Sequence, residues 1–321
     1  MNASRLRILI TGATGCAGSH LSELALSRGA QVYGLAHAGS FVDGVSGRRI
    51  DLLDRAAIEN YLRDTQPDWI FHLAALIPGA LTDPSPDLYI NVNITGAYYL
   101  LDAVRRITPR ARVLIASSSA VYGQPAQLDR PVTENAPLQP QSLYATTKAA
   151  QDMLAAQFFT EYGLHTVRGR TFNQTGPREP ANLVCATIAR QVARIEAGLQ
   201  EPVVRTVTLL PRRDFTDVRD VVAGYWAALE FGETGQAYNI CSGHSTSIRK
   251  VAEILIGLSR VRGQVVESDP IPGPRAILNQ IGDASKLRAC SGWQPRISLE
   301  ESLRDLLDEW RALMRAEPST T

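Results

Sequence analysis

Arg7-Ile8-Leu9-Ile10-Thr11-Gly12-Ala13-Thr14-Gly15-Cys16-Ala17-Gly18 decides how the rest of the chain is read. Its first half is a short apolar run, the pattern of a strand buried in a parallel sheet. Its second half breaks into three glycines spaced G-x-x-G-x-x-G. Ser19 to Ser27 then carry Leu21, Leu24 and Leu26 at roughly helical spacing, and Gly29 reads as a helix stop. Strand, glycine turn and helix in that order form the opening unit of a dinucleotide-binding fold. Gly12 permits a tight turn off the strand. Gly15 lets the backbone approach a pyrophosphate with no Cβ between them. Gly18 lets the helix pack close to the sheet. The free N–H groups that open the helix then face the phosphates, so Thr14, Cys16 and Ala17 join the glycines as candidate coenzyme contacts. A glycine turn that serves structure alone is the competing reading, and the position between strand and helix argues against it.

Working outward, the 321 residues are 45% hydrophobic and 20% charged, room for one large or two smaller globular domains. Lys and Arg number 33 against 32 Asp and Glu, a net charge of +1. No global basic field therefore recruits nucleic acid or an anionic membrane. No apolar run reaches membrane-spanning length and the N-terminus enters a strand at once, so the expectation is a cytoplasmic chain without a signal peptide. Cys16, Cys185, Cys241 and Cys290 lie far apart, and the five histidines form no H-E-x-x-H. Free thiols and no metal are expected.

Gln31 to Ala36 reads as the second strand. An acid at its end would bind the ribose 2′-hydroxyl and select NAD. The sequence offers His37, Ala38, Gly39 and Ser40 instead. That leaves room for a 2′-phosphate, with His37, Arg48 or Arg49 placed to contact it, and tilts the reading to NADP over NAD. Arg49 to Asp54 looks like a third strand end, where Asp51 can accept from the adenine amino group. Asp68 to Ala75 reads as a fourth strand running into small residues, which let a ligand lie across the sheet edge. His72 there reads as a packed structural histidine. Asn91 to Arg105 reads as one amphipathic helix and Ala111 to Ala116 as a fifth strand, ending in Ser117-Ser118-Ser119-Ala120-Val121-Tyr122-Gly123. After a proline-rich loop, Leu143 opens a long helix to about Tyr162. The alternation predicts an α/β, doubly wound parallel sheet with helices on both faces. Residues 1–172 would form the dinucleotide domain, with a later strand near 237–240, and 173–321 a smaller α/β substrate domain.

Thr11-Gly12-x-x-Gly15-x-x-Gly18, Asp51-Leu52, His72-Leu73-Ala74-Ala75, Ser117-Ser118-Ser119 and Tyr144-x-x-x-Lys148 together resemble an extended short-chain dehydrogenase/reductase of the nucleotide-sugar branch. The resemblance covers nearly the whole chain. It implies coenzyme contacts at Asp51, Leu52, Leu73, Ala74, Ala75 and Asn91, catalysis by Ser118, Tyr144 and Lys148, and a homodimer built on the helices that start near Asn91 and Tyr144. The chemistry of the pair stands beside it. Residues i and i+4 share one helix face, and an ammonium near a phenol lowers its pKa from about 10 toward neutrality. A phenol so poised exchanges a proton with a sugar oxygen, while Ser118, with Ser119 second, holds that oxygen.

The second half narrows the substrate. Thr171 to Pro177 resembles the family's loop over nicotinamide and sugar, with Asn173 as a polar contact. Asn182, before an apolar helix over Leu183 to Ile195, matches a position that touches the diphosphate. Arg213-Asp214-Phe215 resembles the step whose arginine binds that diphosphate, and its surroundings look most like reductases acting on GDP-4-keto-6-deoxy-D-mannose. Many relatives carry Arg-Pro-x-Asp ten residues before the Asp of the Gly282-Asp283 step. Here that register holds Gly273-Pro274-Arg275-Ala276, so Arg275 serves only if the loop shifts by two residues. In the family's dehydratases a carboxylate stands two residues after the catalytic Ser or Thr, and here that place is Ala120. The expected function is NAD(P)H-dependent reduction of the 4-keto group of a nucleotide-linked 6-deoxysugar, GDP-4-keto-6-deoxy-D-mannose to GDP-D-rhamnose. The alternatives are a nucleotide-sugar 4-epimerase with tightly bound NAD, and a non-catalytic coenzyme-binding regulator. The last would have no need of Ser118, Tyr144 and Lys148.

Overall fold

The computed structural model describes residues 5–78, 85–125, 129–206, 208–260, 264–267 and 277–316. Six strands of the first half are β1 (Arg7–Thr11), β2 (Gln31–Ala36), β3 (Ser46–Arg49), β4 (Trp69–His72), β5 (Arg112–Ser118) and β6 (Thr166–Thr171). β7 (Asn173–Thr175), β8 (Val203–Thr206) and β9 (Arg212–Asp217) follow. Then come β10 (Ala237–Ile240), β11 (Ser245–Ser247), β12 (Gln264–Glu267) and β13 (Asn279–Gln280). The main sheet has the order β3-β2-β1-β4-β5-β6-β10, and every pairing in it is parallel. The order reverses between β1 and β4, the switch point beyond whose strand ends ligands bind in such sheets.

Strand residues alternate between two apolar layers, as parallel strands covered on both faces require. Ile8 and Ile10 pack with Leu21 and Ala25 of α1 (Cys16–Ser27) on one side. Leu9 packs on the other with Ile58 and Leu62 of α2 (Arg55–Thr65). The stretch expected as one helix from Asn91 instead begins earlier and changes pitch. Ser85 accepts from the Leu88 N–H to start α3 (Pro86–Tyr89), a π turn covers Ile90–Thr95, and α4 (Gly96–Ile107) continues. The π turn puts Asn93 inside, fully buried, with its carboxamide accepting from Leu76 N at 2.7 Å and donating to Leu76 O and the Thr147 hydroxyl. The fifth strand runs two residues further than expected, to Ser118, and so delivers the serines to the sheet edge.

Beyond β6 and α5 (Leu143–Tyr162), the second half packs α6 (Val184–Glu196), α8 (Ile248–Gly257) and α10 (Leu299–Ala316) around a separate apolar cluster that includes Ile188, Val192, Leu255 and Leu306. Helices α7 (Val218–Phe231) and α9 (Ser285–Ser291) pack back on the main sheet, with Tyr225 and Leu287 in its core. β10 returns to pair with β6, so the second half contributes a strand to the first.

Candidate active site

The glycine turn leaves β1 with Gly12 at φ +71°, a left-handed conformation that favours glycine. Three different constraints separate the glycines. A Cβ on Gly12 would stand 2.9 Å from Ala74 backbone atoms. One on Gly18 would stand 2.0 Å from the Gly12 carbonyl oxygen. One on Gly15 would meet only that oxygen, at 3.3 Å. The fold itself thus asks little of Gly15, and what remains is the space above it. Gly15 is also the cap of α1, and no side chain satisfies the helix's first N–H groups. An open helix start with no Cβ over it and no acid in its first turn fits a diphosphate. Thr14 donates to the Ala38 carbonyl at 2.7 Å, joining the glycine turn to the end of β2. His37 is exposed there. Asp51 is exposed and accepts from Leu53 N, whereas Leu52 is buried against Gly96. Leu73, Ala74 and Ala75 are half-buried at the end of β4, next to the turn. Asn91 is exposed on the outside of the π turn, and the structure does not bring it to the site. The inward carboxamide is that of Asn93, because the π turn rotates the helix face.

Ser142 caps α5 by accepting from Ala145 N at 3.1 Å, and this places Tyr144 and Lys148 one turn apart over the end of β5. Tyr144 and Ser118 face the same cavity, and the Ser118 hydroxyl accepts from Ala120 N at 3.2 Å. Lys148 is buried and its ammonium donates to the Ala116 carbonyl. Burial raises the Tyr144 phenol above its ordinary 10, and burial lowers Lys148 to about 7. The expectation of a phenol brought down to neutrality is therefore corrected: loss of water around the phenol outweighs the lowering effect of its neighbour Ser118. A phenol that keeps its proton is the form a proton donor needs. Behind Lys148, Asp152 is clamped by Arg170 at 2.8 and 2.9 Å and by Arg168 at 3.0 Å, and its charge partly restores the ammonium. His72 is fully inside, bonded to the Thr11 hydroxyl at 2.8 Å and to Gln151. Burial, with the Lys148 charge second, holds it down to about 3, so it stays neutral and structural.

Ala17, Ala75, Ser118, Tyr144, Lys148, Asn173 and Arg213 line one cavity of about 360 Å³. A second cavity of about 390 Å³ adjoins it, lined by Asn182, Arg205 and Ile248, with Asn173 and Arg213 common to both. Arg213 donates to the Ile277 and Arg212 carbonyls at 2.8 Å. Among the described residues no carboxylate charge acts on it, and burial lowers its pKa. A half-buried guanidinium between two cavities fits a bidentate anion. Asn182 donates to Pro78 O at 3.2 Å. Ser119 lines the same cavity, where its hydroxyl donates to Gln280 of β13 at 2.9 Å. Arg275 lies outside the described residues.

Sequence reasoning passed over Asn93, Gln174, Gln280 and Glu179. Glu179 accepts from the Thr175 hydroxyl at 2.6 Å, and burial pushes it up to about 7.

The family model described as GDP-mannose 4,6 dehydratase matches residues 9–306. GDP-6-deoxy-D-mannose reductase of Pseudomonas aeruginosa is 33% identical over 97% of this chain and 99% of its own. Among solved structures, that of RMD from Pseudomonas aeruginosa complexed with NADPH has a TM-score of 0.82 and 31% identity, covering 96% of this chain and 99% of that one. Thermus thermophilus UDP-glucose 4-epimerase in complex with NAD has a TM-score of 0.85 and 28% identity, covering 95% and 99%. On the length of these matches, the chain belongs to the GDP-mannose 4,6-dehydratase family of extended short-chain dehydrogenases/reductases.

Proposed function

We propose that this enzyme uses NAD(P)H to reduce the 4-keto group of GDP-4-keto-6-deoxy-D-mannose, giving GDP-D-rhamnose. The observation that carries the reading is one cavity holding Ser118, Tyr144 and Lys148 with Ala120, and Arg213 at its far end. When bound, the coenzyme supplies the hydride that reaches C4. Tyr144 gives its proton to O4, Ser118 holds that oxygen, and the protonated fraction of Lys148 favours the developing negative charge. Arg213 and Asn182 bind the sugar-linked diphosphate. The open glycine turn and the neutral end of β2 suit NADP as well as NAD, with NADP preferred.

The family also contains dehydratases, which after oxidising C4 must remove a C5 proton and expel water from C6. Those steps need a further acid–base group beside the sugar, and Ala120 moves no proton. GDP-mannose is therefore expected to yield no 4-keto product, while its 4-keto-6-deoxy derivative is reduced with loss of NAD(P)H absorbance. Appearance of the 4-keto product from GDP-mannose would refute the reading. Inactivity on both points to another base, which thermal shifts with GDP, UDP, dTDP and CDP identify. A 4-epimerase would instead retain NAD through purification, and release of the coenzyme on denaturation is the check.

We further infer a homodimer in the cytoplasm. The four cysteines are free thiols, which suits a reducing compartment. Tyr98 of α4 and Met153 and Tyr162 of α5 are exposed at 40%, 64% and 46%, a patch of apolar side chains on two adjacent helices. Met153→Glu is expected to shift the molar mass in light scattering from dimer to monomer; an unchanged mass would move the interface elsewhere.

A further inference from the structure

Lys148, Asp152, Arg168 and Arg170 form one cluster at the junction of α5 and β6, and the reaction as described above uses only the lysine. Asp152 is fully buried one helical turn after Lys148, so the two share a helix face. Its Oδ1 accepts from Arg168 at 3.0 Å and Arg170 at 2.9 Å, and its Oδ2 accepts from Arg170 at 2.8 Å. Both arginines are held in turn. Arg170 donates to the Tyr122 hydroxyl and the Glu134 carbonyl, and Arg168 to the Gly235 carbonyl. The carboxylate is thus fixed in place. Burial would raise its pKa, but Arg170, with Arg168 after it, holds it below the ordinary carboxylate range, so it is charged at neutral pH. The other groups around Lys148 do not favour an ammonium. His72 of β4 is neutral. The phenols of Tyr144 on α5 and Tyr225 on α7 are raised by burial and keep their protons. Arg213 of β9, on the same cavity, is itself a cation. Among the described residues, Asp152 is the one carboxylate whose charge acts on Lys148. A contact made only to pin α5 to β6 would need one arginine, because each further buried cation adds a desolvation cost.

We propose that Asp152 is a positioning residue that keeps Lys148 an ammonium at neutral pH, and that Arg168 sets how strongly it does so. The inference rests on the reading of Lys148 as the charge that serves the coenzyme and O4. A lysine taken out of water loses its proton readily, and a fixed negative charge in dry surroundings opposes that loss. Arg168 offsets part of the negative charge, so the arginine and the carboxylate act on Lys148 with opposite sign. The contrasting reading is a clamp that joins α5 to β6 and leaves the lysine's charge alone.

The chain makes the test direct, because its lysines are only Lys148, Lys250 and Lys286. NMR of the free enzyme, with lysine labelled with carbon-13 at Cε, follows each of them through a pH titration, and Lys148→Ala assigns the signal. No coenzyme or sugar nucleotide takes part, so the result is independent of the substrate assignment. In the wild type Lys148 is expected to titrate at about 7. Asp152→Asn is expected to move that midpoint down by about one pH unit, and Arg168→Gln to move it up by about half a pH unit. Lys250, exposed on α8, should not move in either variant. Both substitutions loosen the same clamp, so a purely structural role would not shift the lysine in opposite directions. An unchanged midpoint in Asp152→Asn, or a shift of the same sign in both variants, overturns the proposal. If Asp152→Asn does not fold, Arg168→Gln decides alone, and a midpoint that fails to rise overturns it. NADPH affinity that is identical at pH 6 and pH 8 in the wild type would instead remove the role given to Lys148, a failure that the NMR titration does not share.

Discussion

Tyr144→Phe is expected to lower kcat by about a thousandfold while NADPH affinity stays within about twofold, because general acid catalysis contributes about a hundred- to ten-thousandfold and only the acid is removed. The phenyl ring keeps the volume of the site, and the change leaves Ser118 with its bond from Ala120 N. Lys148→Ala is expected to lower both quantities, since the lysine borders the coenzyme side of the cavity as well as the phenol. The two residues also separate by pH. The Tyr144 phenol stays protonated well into the alkaline range. Lys148, brought down to about 7 by burial, is an ammonium below that value and loses its charge as pH rises through it. NADPH affinity should therefore fall from pH 6 to pH 8 in the wild type and stay flat in Lys148→Ala. Single-turnover reduction and coenzyme titration read the two effects apart. Near-normal kcat in Tyr144→Phe would assign the proton to another group.

Gly18→Ala is the second large effect, and it falls on stability. The added Cβ would sit 2.0 Å from the Gly12 carbonyl oxygen and 2.8 Å from Ala13 Cα. Both are backbone atoms of the turn, so helix and strand must move apart. Overpacking of this kind costs about 3 kcal/mol, and in a chain of this size that lowers the melting temperature by roughly 5 °C. Gly15→Ala meets a single atom at 3.3 Å and is expected to lower the melting temperature by no more than about 3 °C, the cost of a poorer cap. Its effect appears when NADPH is added: the stabilisation seen in the wild type is largely lost. If the two variants melt alike and respond alike to NADPH, the separate roles given to these glycines are wrong.

What the sequence made legible was local. The glycine turn, Tyr144 with Lys148, and Ser118 at a strand end each depend on spacings of a few residues, and spacing survives in a linear text. The parallel order of the sheet followed from strands alternating with helices. What stayed hidden depends on the third dimension. A π turn cannot be seen in the apolar pattern of 86–107, so Asn91 was chosen where Asn93 points inward. The partner of Ser119 was hidden too, because Gln280 of β13 comes from 161 positions away. The pKa of Tyr144 was misjudged because its neighbours in sequence announce the ammonium but not the burial that opposes it.

The position of β10 bears on how the molecule is made. As the chain leaves the ribosome, β6 emerges with its outer edge open, and an unpaired parallel edge is a template for other strands. Its partner, Ala237–Ile240, comes only after β7, α6, β9 and α7 have been synthesised. The central sheet cannot be completed until most of the second half exists, so its last pairing is a long-range one, of the kind that forms slowly. Cutting the chain after Phe172 would leave β6 without the strand that completes it. The enzyme therefore cannot be reduced to a portable coenzyme module: its evolution can vary the second half around the cavity only so long as that half still returns the seventh strand.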